Sequence, residues 1–201
     1  MFYETEKRDR TLLPHDPFKA IVAPRPVGWI TSMSHKGEIN LAPYSFFNGA
    51  LSRPPMVMFS SEGTKDSVSF IAETKEFVCN LATFDLRLAM NQTSATLPRG
   101  VNEMEFAGIE AAPSRLVKPP RVAASPCALE CKLLQIVPLV DLEGRATDGH
   151  IVIGQVVGVY IDDRFIKDGI LDTAAMKPIA RCGYADQYAV VESLFAMKRP
   201  G

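Results

Sequence analysis

Apolar and polar positions alternate with a period of two along most of this chain, which predicts strands rather than helices. Val27–Met33 reads as a strand, with Ser34–Glu38 as its turn. Pro55–Ser61 is a nearly continuous apolar run, as in a strand covered on both faces. Phe77–Ala82 is a further short strand. In Cys127–Val137, Ala128, Glu130 and Lys132 fall on one face, and Cys127, Leu129, Cys131 and Leu133 on the other. Ile151–Ile161 carries the strongest strand pattern, and Gly154 and Gly158 within it predict bends or a close backbone approach. Helices are short. Thr64–Ser67 caps one running from Val68 to Thr74, with Val68, Ile71 and Ala72 on one face; Asp85 starts another through Asn91, with Leu86, Ala89 and Met90 inward. Many strands, few helices and no βαβ alternation predict a closed or sandwiched antiparallel sheet, a mainly β barrel with peripheral helices.

Composition narrows the function classes. The chain has 201 residues, enough for one domain spanning 1–201, and its 47% hydrophobic content supplies a core. Lys+Arg 22 against Asp+Glu 23 leaves a net charge of -1 with no block of like charge, which argues against a nucleic-acid binder. The 15 prolines and 13 glycines are scattered throughout, which argues against a helical bundle. The polar N-terminus shows no signal-peptide pattern, and Ile151–Ile161 is too short to span a bilayer. Cys79, Cys127, Cys131 and Cys182 form no CxxC pair, and three histidines give a zinc site little support, so reduced thiols in a cytoplasmic protein without a metal are expected.

Three segments could carry chemistry. Thr31 and Ser32 sit at a strand end, followed by Asn40, Leu41, Ala42, Pro43 and Ser45 in a stretch that Pro43 bends, freeing backbone N–H groups to face a heteroaromatic ring edge. Such stretches also serve as plain turns. Ser60, Ser61, Lys65, Asp66 and Ser67 place hydroxyls and a lysine around a helix start, which makes a phosphate cradle or an ordinary N-cap at Thr64. His150 opens the strongest strand and is either a site residue or a satisfied turn histidine.

From Pro24 to Phe195 the chain resembles the flavin reductase-like family of FMN-binding split β-barrels. The resemblance rests on the order of its pieces: Pro24–Ser32, Gly37 with Asn40–Phe47, Pro54–Ser60, Lys65–Ser67, Phe77–Leu81, Gly149–Val156 and Lys177–Arg181. Ala180 departs from the family, many members of which carry glycine there. The resemblance implies a Greek-key antiparallel split barrel in which Thr31, Ser32, Asn40–Ser45 and Ser60–Ser61 contact FMN and Lys65–Ser67 hold its phosphate. Asp66 is awkward there, since a carboxylate repels phosphate. It also implies a part for His150 near the flavin or nicotinamide, and hydride transfer from NADH or NADPH through FMN to a free flavin or another acceptor. A flavoredoxin-like electron carrier and a flavin-binding module without turnover share the same pocket. A monooxygenase that consumes reduced flavin is compatible with all of this. Finally, the resemblance implies a homodimer; an exposed strand bearing Trp29 and the apolar Phe46-Phe47 pair supply a physical motive, and Lys177–Arg181 is the expected crossing segment.

Overall fold

The computed structural model describes residues 1–201. Seven strands form its main sheet: β1 (Gly28–Met33), β2 (Ile39–Tyr44), β3 (Phe47–Ser52), β4 (Pro55–Glu62), β5 (Glu76–Leu81), β6 (Cys127–Val140) and β7 (Ala146–Ile161). Their order is β2-β1-β5-β6-β7-β4-β3, and every neighbouring pair is antiparallel. The sheet curls until the end of β2 meets β4, where the Tyr44 and Phe59 rings lie 4.6 Å apart. Closure at that seam, with the rest of the two strands parted, makes the split barrel expected from the sequence.

Strand alternation sorts the apolar side chains into two cores. Ile30, Val57, Phe59, Phe77, Cys79, Cys131, Val152 and Val156 fill the barrel, and helix α1 (Asp66–Thr74) adds Val68 and Ile71. The opposite face of β1 carries Trp29, which packs with Leu41, Ala82, Met90, Met104, Val122 and Ile179 in an outer layer. Trp29 is therefore not on an exposed strand: its exposure is 0%, and its indole N–H donates to Thr93 Oγ1 at 2.9 Å.

Several expected boundaries move, each for a physical reason. β6 and β7 run past Val137 and start before Ile151, since a tight Asp141–Arg145 turn joins them and a register shift near His150 accommodates Pro138. Asn40–Tyr44 is strand rather than a free bent segment. The Leu41 N–H turns away from β1 to Glu103, and Pro43, on the same side of the ladder, has no N–H to lose at this sheet edge. Lys65, not Thr64, occupies the capping position of α1, in extended conformation and without a side-chain cap bond. The second helix, α2, spans Arg87–Gln92, with Met90 buried and Leu86 and Ala89 half-buried. Ile179–Arg181 pairs on one side with Arg25–Pro26 and on the other with Tyr188–Val190, so both its edges are engaged within its own chain.

Candidate functional site

A cleft of about 480 Å³ opens where β2, β4 and the start of α1 converge, a volume within the usual range for small-molecule sites. It gathers Asn40, Ala42, Pro43, Ser45, Ser60, Lys65, Asp66 and Ser67 from the candidate residues. The remaining candidates lie elsewhere. Thr31 turns into the outer layer, where its hydroxyl accepts from Asn80 at 2.9 Å. Ser32 is fully buried with its Oγ unpartnered. The Leu41 side chain belongs to the outer core with Trp29. Ser61 is buried and donates to the Gly63 carbonyl at 3.2 Å. His150 is paired with Ser61 across β7 and β4, is half-buried with Nδ1 unpartnered, and does not line the cleft.

The cleft also contains residues that inspection of the sequence missed. Thr93–Leu97 and Arg99 form its far wall, Glu103 contributes to its lining, and Glu62 and Lys19 stand with them; Tyr44, within the expected Asn40–Ser45 segment, lines it too. The hydroxyl-rich run Thr93-Ser94-Ala95-Thr96 followed by Pro98-Arg99-Gly100 is the one signal that pointed there, by the same logic that singled out Ser60–Ser67.

The wall is held in place by Asp66. One of its oxygens lies 3.6 Å from Arg99 Nε, and the other accepts the Gly100 N–H at 3.3 Å, across 34 positions of sequence. This resolves the awkward carboxylate: Asp66 ties two cleft walls together, and it sits in the first turn of α1, where the helix dipole favours a negative charge. Lys65, immediately before it, is exposed and has no ion-pair partner. Deeper in, Asn40 Nδ2 donates to Ser67 Oγ at 2.7 Å. The Tyr44 hydroxyl faces Ser61 and Ser67, and burial pushes its pKa up.

Glu103 accepts the Leu41 N–H at 2.9 Å, and burial holds its carboxyl above the ordinary carboxylate range, with Asp66 adding repulsion. A raised carboxyl pKa contributes stability that is full below the unfolded value and is lost as pH rises through the folded value. Glu103→Gln keeps an acceptor for Leu41 and has nothing to ionise. Its melting temperature should exceed the wild type's at about pH 7.5, with the gap closing below about pH 4, in paired thermal melts.

No cluster of His, Cys, Asp or Glu side chains is arranged to hold a metal ion. The cleft's chemistry is instead that of two unpaired cations, Lys65 beside helix amides and Lys19 from far earlier in the chain, with hydroxyls from several segments. Residues 22–174 match the family model described as the flavin reductase like domain. The chain belongs to this family.

A relative from Deinococcus radiodurans is 35% identical, over 95% of this chain and 88% of its own length. Nitrilotriacetate monooxygenase component B from Bacillus cereus is similar in structure, with a TM-score of 0.87, 27% identity and 98% of both chains covered. The 2-nitrobenzoate 2-nitroreductase of Pseudomonas fluorescens gives a TM-score of 0.79 at 27% identity, over 90% of this chain and 88% of its own. In this flavin reductase-like protein the matched residues include all seven strands and the whole cleft except Lys19.

Proposed function

We propose that this protein binds FMN in the cleft and passes hydride from NADH or NADPH through it to a free flavin or another acceptor. The observation that carries the reading is the unpaired Lys65 at the start of α1, in a cleft whose remaining cation of the same region, Arg99, is engaged by Asp66. The residues present fit such a ligand. Lys65 and the free N–H groups of the first helical turn suit a phosphate. Ser45, Ser60 and Thr96 set hydroxyls around a space of the right size for a ring system with carbonyl and amide edges.

FMN, when bound, supplies the two-electron chemistry, and no side-chain nucleophile is required. The protein's part is positional. Lys65 fixes the charged end, Asp66 keeps the Thr93–Gly100 wall at its distance, and the packed barrel beneath Tyr44 and Ser67 excludes water from the cleft floor. His150, the cross-strand neighbour of Ser61, does not line the cleft and is assigned no step.

Anaerobic addition of NADH or NADPH to the FMN-loaded protein tests the reading. Rapid bleaching of the visible flavin band followed by turnover is the expected result. Bleaching only by dithionite or a redox protein would instead assign an electron carrier. The likeness to a monooxygenase component supports an oxygenase as one consumer of the reduced flavin.

The same reading includes a two-fold dimer working in the cytoplasm. All four cysteines are free, and no helix is long and apolar enough to cross a membrane. Beside the cleft runs an apolar groove of about 620 Å³, lined by Phe18, Ile21, Phe46, Phe47, Met58 and Ile151 and sharing Ser45, Phe46 and Ser60 with it. This groove, rather than a strand bearing Trp29, supplies the uncovered apolar surface. Sedimentation of the FMN-loaded protein should give twice the 22.1 kDa chain mass; the single-chain mass with FMN bound would remove the dimer.

A further inference from the structure

A four-residue helix, Phe18–Ile21, stands at the boundary between the polar cleft and the apolar groove: Lys19 lines the first and Phe18 the second. One helical turn cannot persist on its own hydrogen bonds. Arg25 is what holds it. This arginine is 5% exposed and has no acidic partner; its Nη1 donates to the carbonyls of Lys19 and Val22, acceptors that the end of a helix leaves open. Its backbone is fixed in turn by pairing with Arg181. The guanidinium lies 5.7 Å from the centroid of Phe46, and the Phe18 ring lies 6.4 Å from the same ring. A buried arginine used in this way shapes the backbone rather than serving as a surface charge.

The consequence falls on Lys19. Like Lys65 it lines the cleft, is exposed and has no ion-pair partner, whereas Arg99 is tied to Asp66. One phosphate held at Lys65 leaves the Lys19 ammonium for an anion of a different ligand. We propose that Arg25 is a positioning residue that clamps the Phe18–Val22 turn so that Lys19 takes a phosphate of the nicotinamide dinucleotide. Phe18 and Phe46 offer that ligand their aromatic faces. The assignment rests on the cleft holding FMN; Lys19 precedes the family-matched span at 22–174, and Arg25 lies within it.

Three variants of the FMN-loaded protein test it. Trypsin cleavage after Lys19, followed by mass spectrometry, should be about tenfold faster in Arg25→Met than in the wild type, since a locally released turn is cut in proportion to its open population. Arg25→Lys, which keeps the charge without the fork, should fall between them; it also decides the matter if Arg25→Met does not melt cooperatively. Unchanged cleavage overturns the clamp. Lys19→Ala, at an exposed position, should weaken NAD⁺ or NADP⁺ binding about tenfold in calorimetry, the scale of one charge-assisted contact, with FMN affinity held within about twofold. An equal loss of FMN affinity would place Lys19 on the FMN phosphate and overturn the proposal, as would no loss of either. The oxidised dinucleotides need no turnover. If neither binds the wild type, the Lys19 assignment falls. If they bind while NADH and NADPH leave the flavin oxidised, the reductase reading falls and the assignment stands.

Discussion

Lys65→Ala is expected to weaken FMN binding by about one to two decades, the loss of a charge-assisted contact of roughly 1.5–3 kcal/mol, while leaving the melting temperature of the ligand-free protein nearly unchanged. The asymmetry follows from the side chain's place: it is exposed, pairs with no acid and makes no cap bond to α1. Riboflavin, which lacks the phosphate, should bind the wild type and the variant alike. Fluorescence titration with the two flavins measures both comparisons. Equal FMN affinities would mean that Lys65 is a solvated neighbour of the helix start, and the phosphate end of the cleft would have to be sought at Lys19 or Arg99.

Gly154→Ala should cost stability rather than affinity. An added Cβ would stand 2.4 Å from Phe77 Cζ and 2.5 Å from its Cε1. Phe77 has 0% exposure and packs edge-on against Phe59, 5.9 Å away, so the ring has no empty space to enter. Overpacking of this kind costs about 1–3 kcal/mol, which lowers the melting temperature of a chain this size by roughly 2–4 °C per kcal/mol. Gly49→Ala serves as the control, since nothing lies within 4 Å of its added Cβ. Equal melting temperatures for the two variants would show that the Phe77 ring yields freely.

The close approach at Gly154 was legible in the sequence, because a glycine inside a strongly apolar strand needs a reason. So were the strands, from their period, and the lysine before α1, from hydroxyls and glycine around a helix start. Other features depended on contacts between distant segments. Pro43 looked like a breaker, and only the edge position of β2 makes it a tolerated strand residue. Trp29 looked exposed because the residues covering it, Met90, Met104 and Ile179, come from far along the chain. Thr31 and Ser32 point to opposite faces of β1, and neither face of the strand at that point opens on the cleft. The Thr93–Arg99 wall was invisible as a partner of α1 for the same reason: what holds it is the Trp29 indole at Thr93 and the Asp66 carboxylate at Arg99 and Gly100.

That carboxylate has a thermodynamic meaning beyond geometry. With Asp66 holding Arg99 and Gly100, the two sides of the cleft are already linked in the ligand-free chain. The conformational entropy of fixing the Thr93–Gly100 segment is therefore spent during folding, and a ligand that enters does not meet that cost again. Part of the cleft's affinity thus resides in order that exists before any ligand arrives, supplied by a residue whose charge by itself would repel a phosphate.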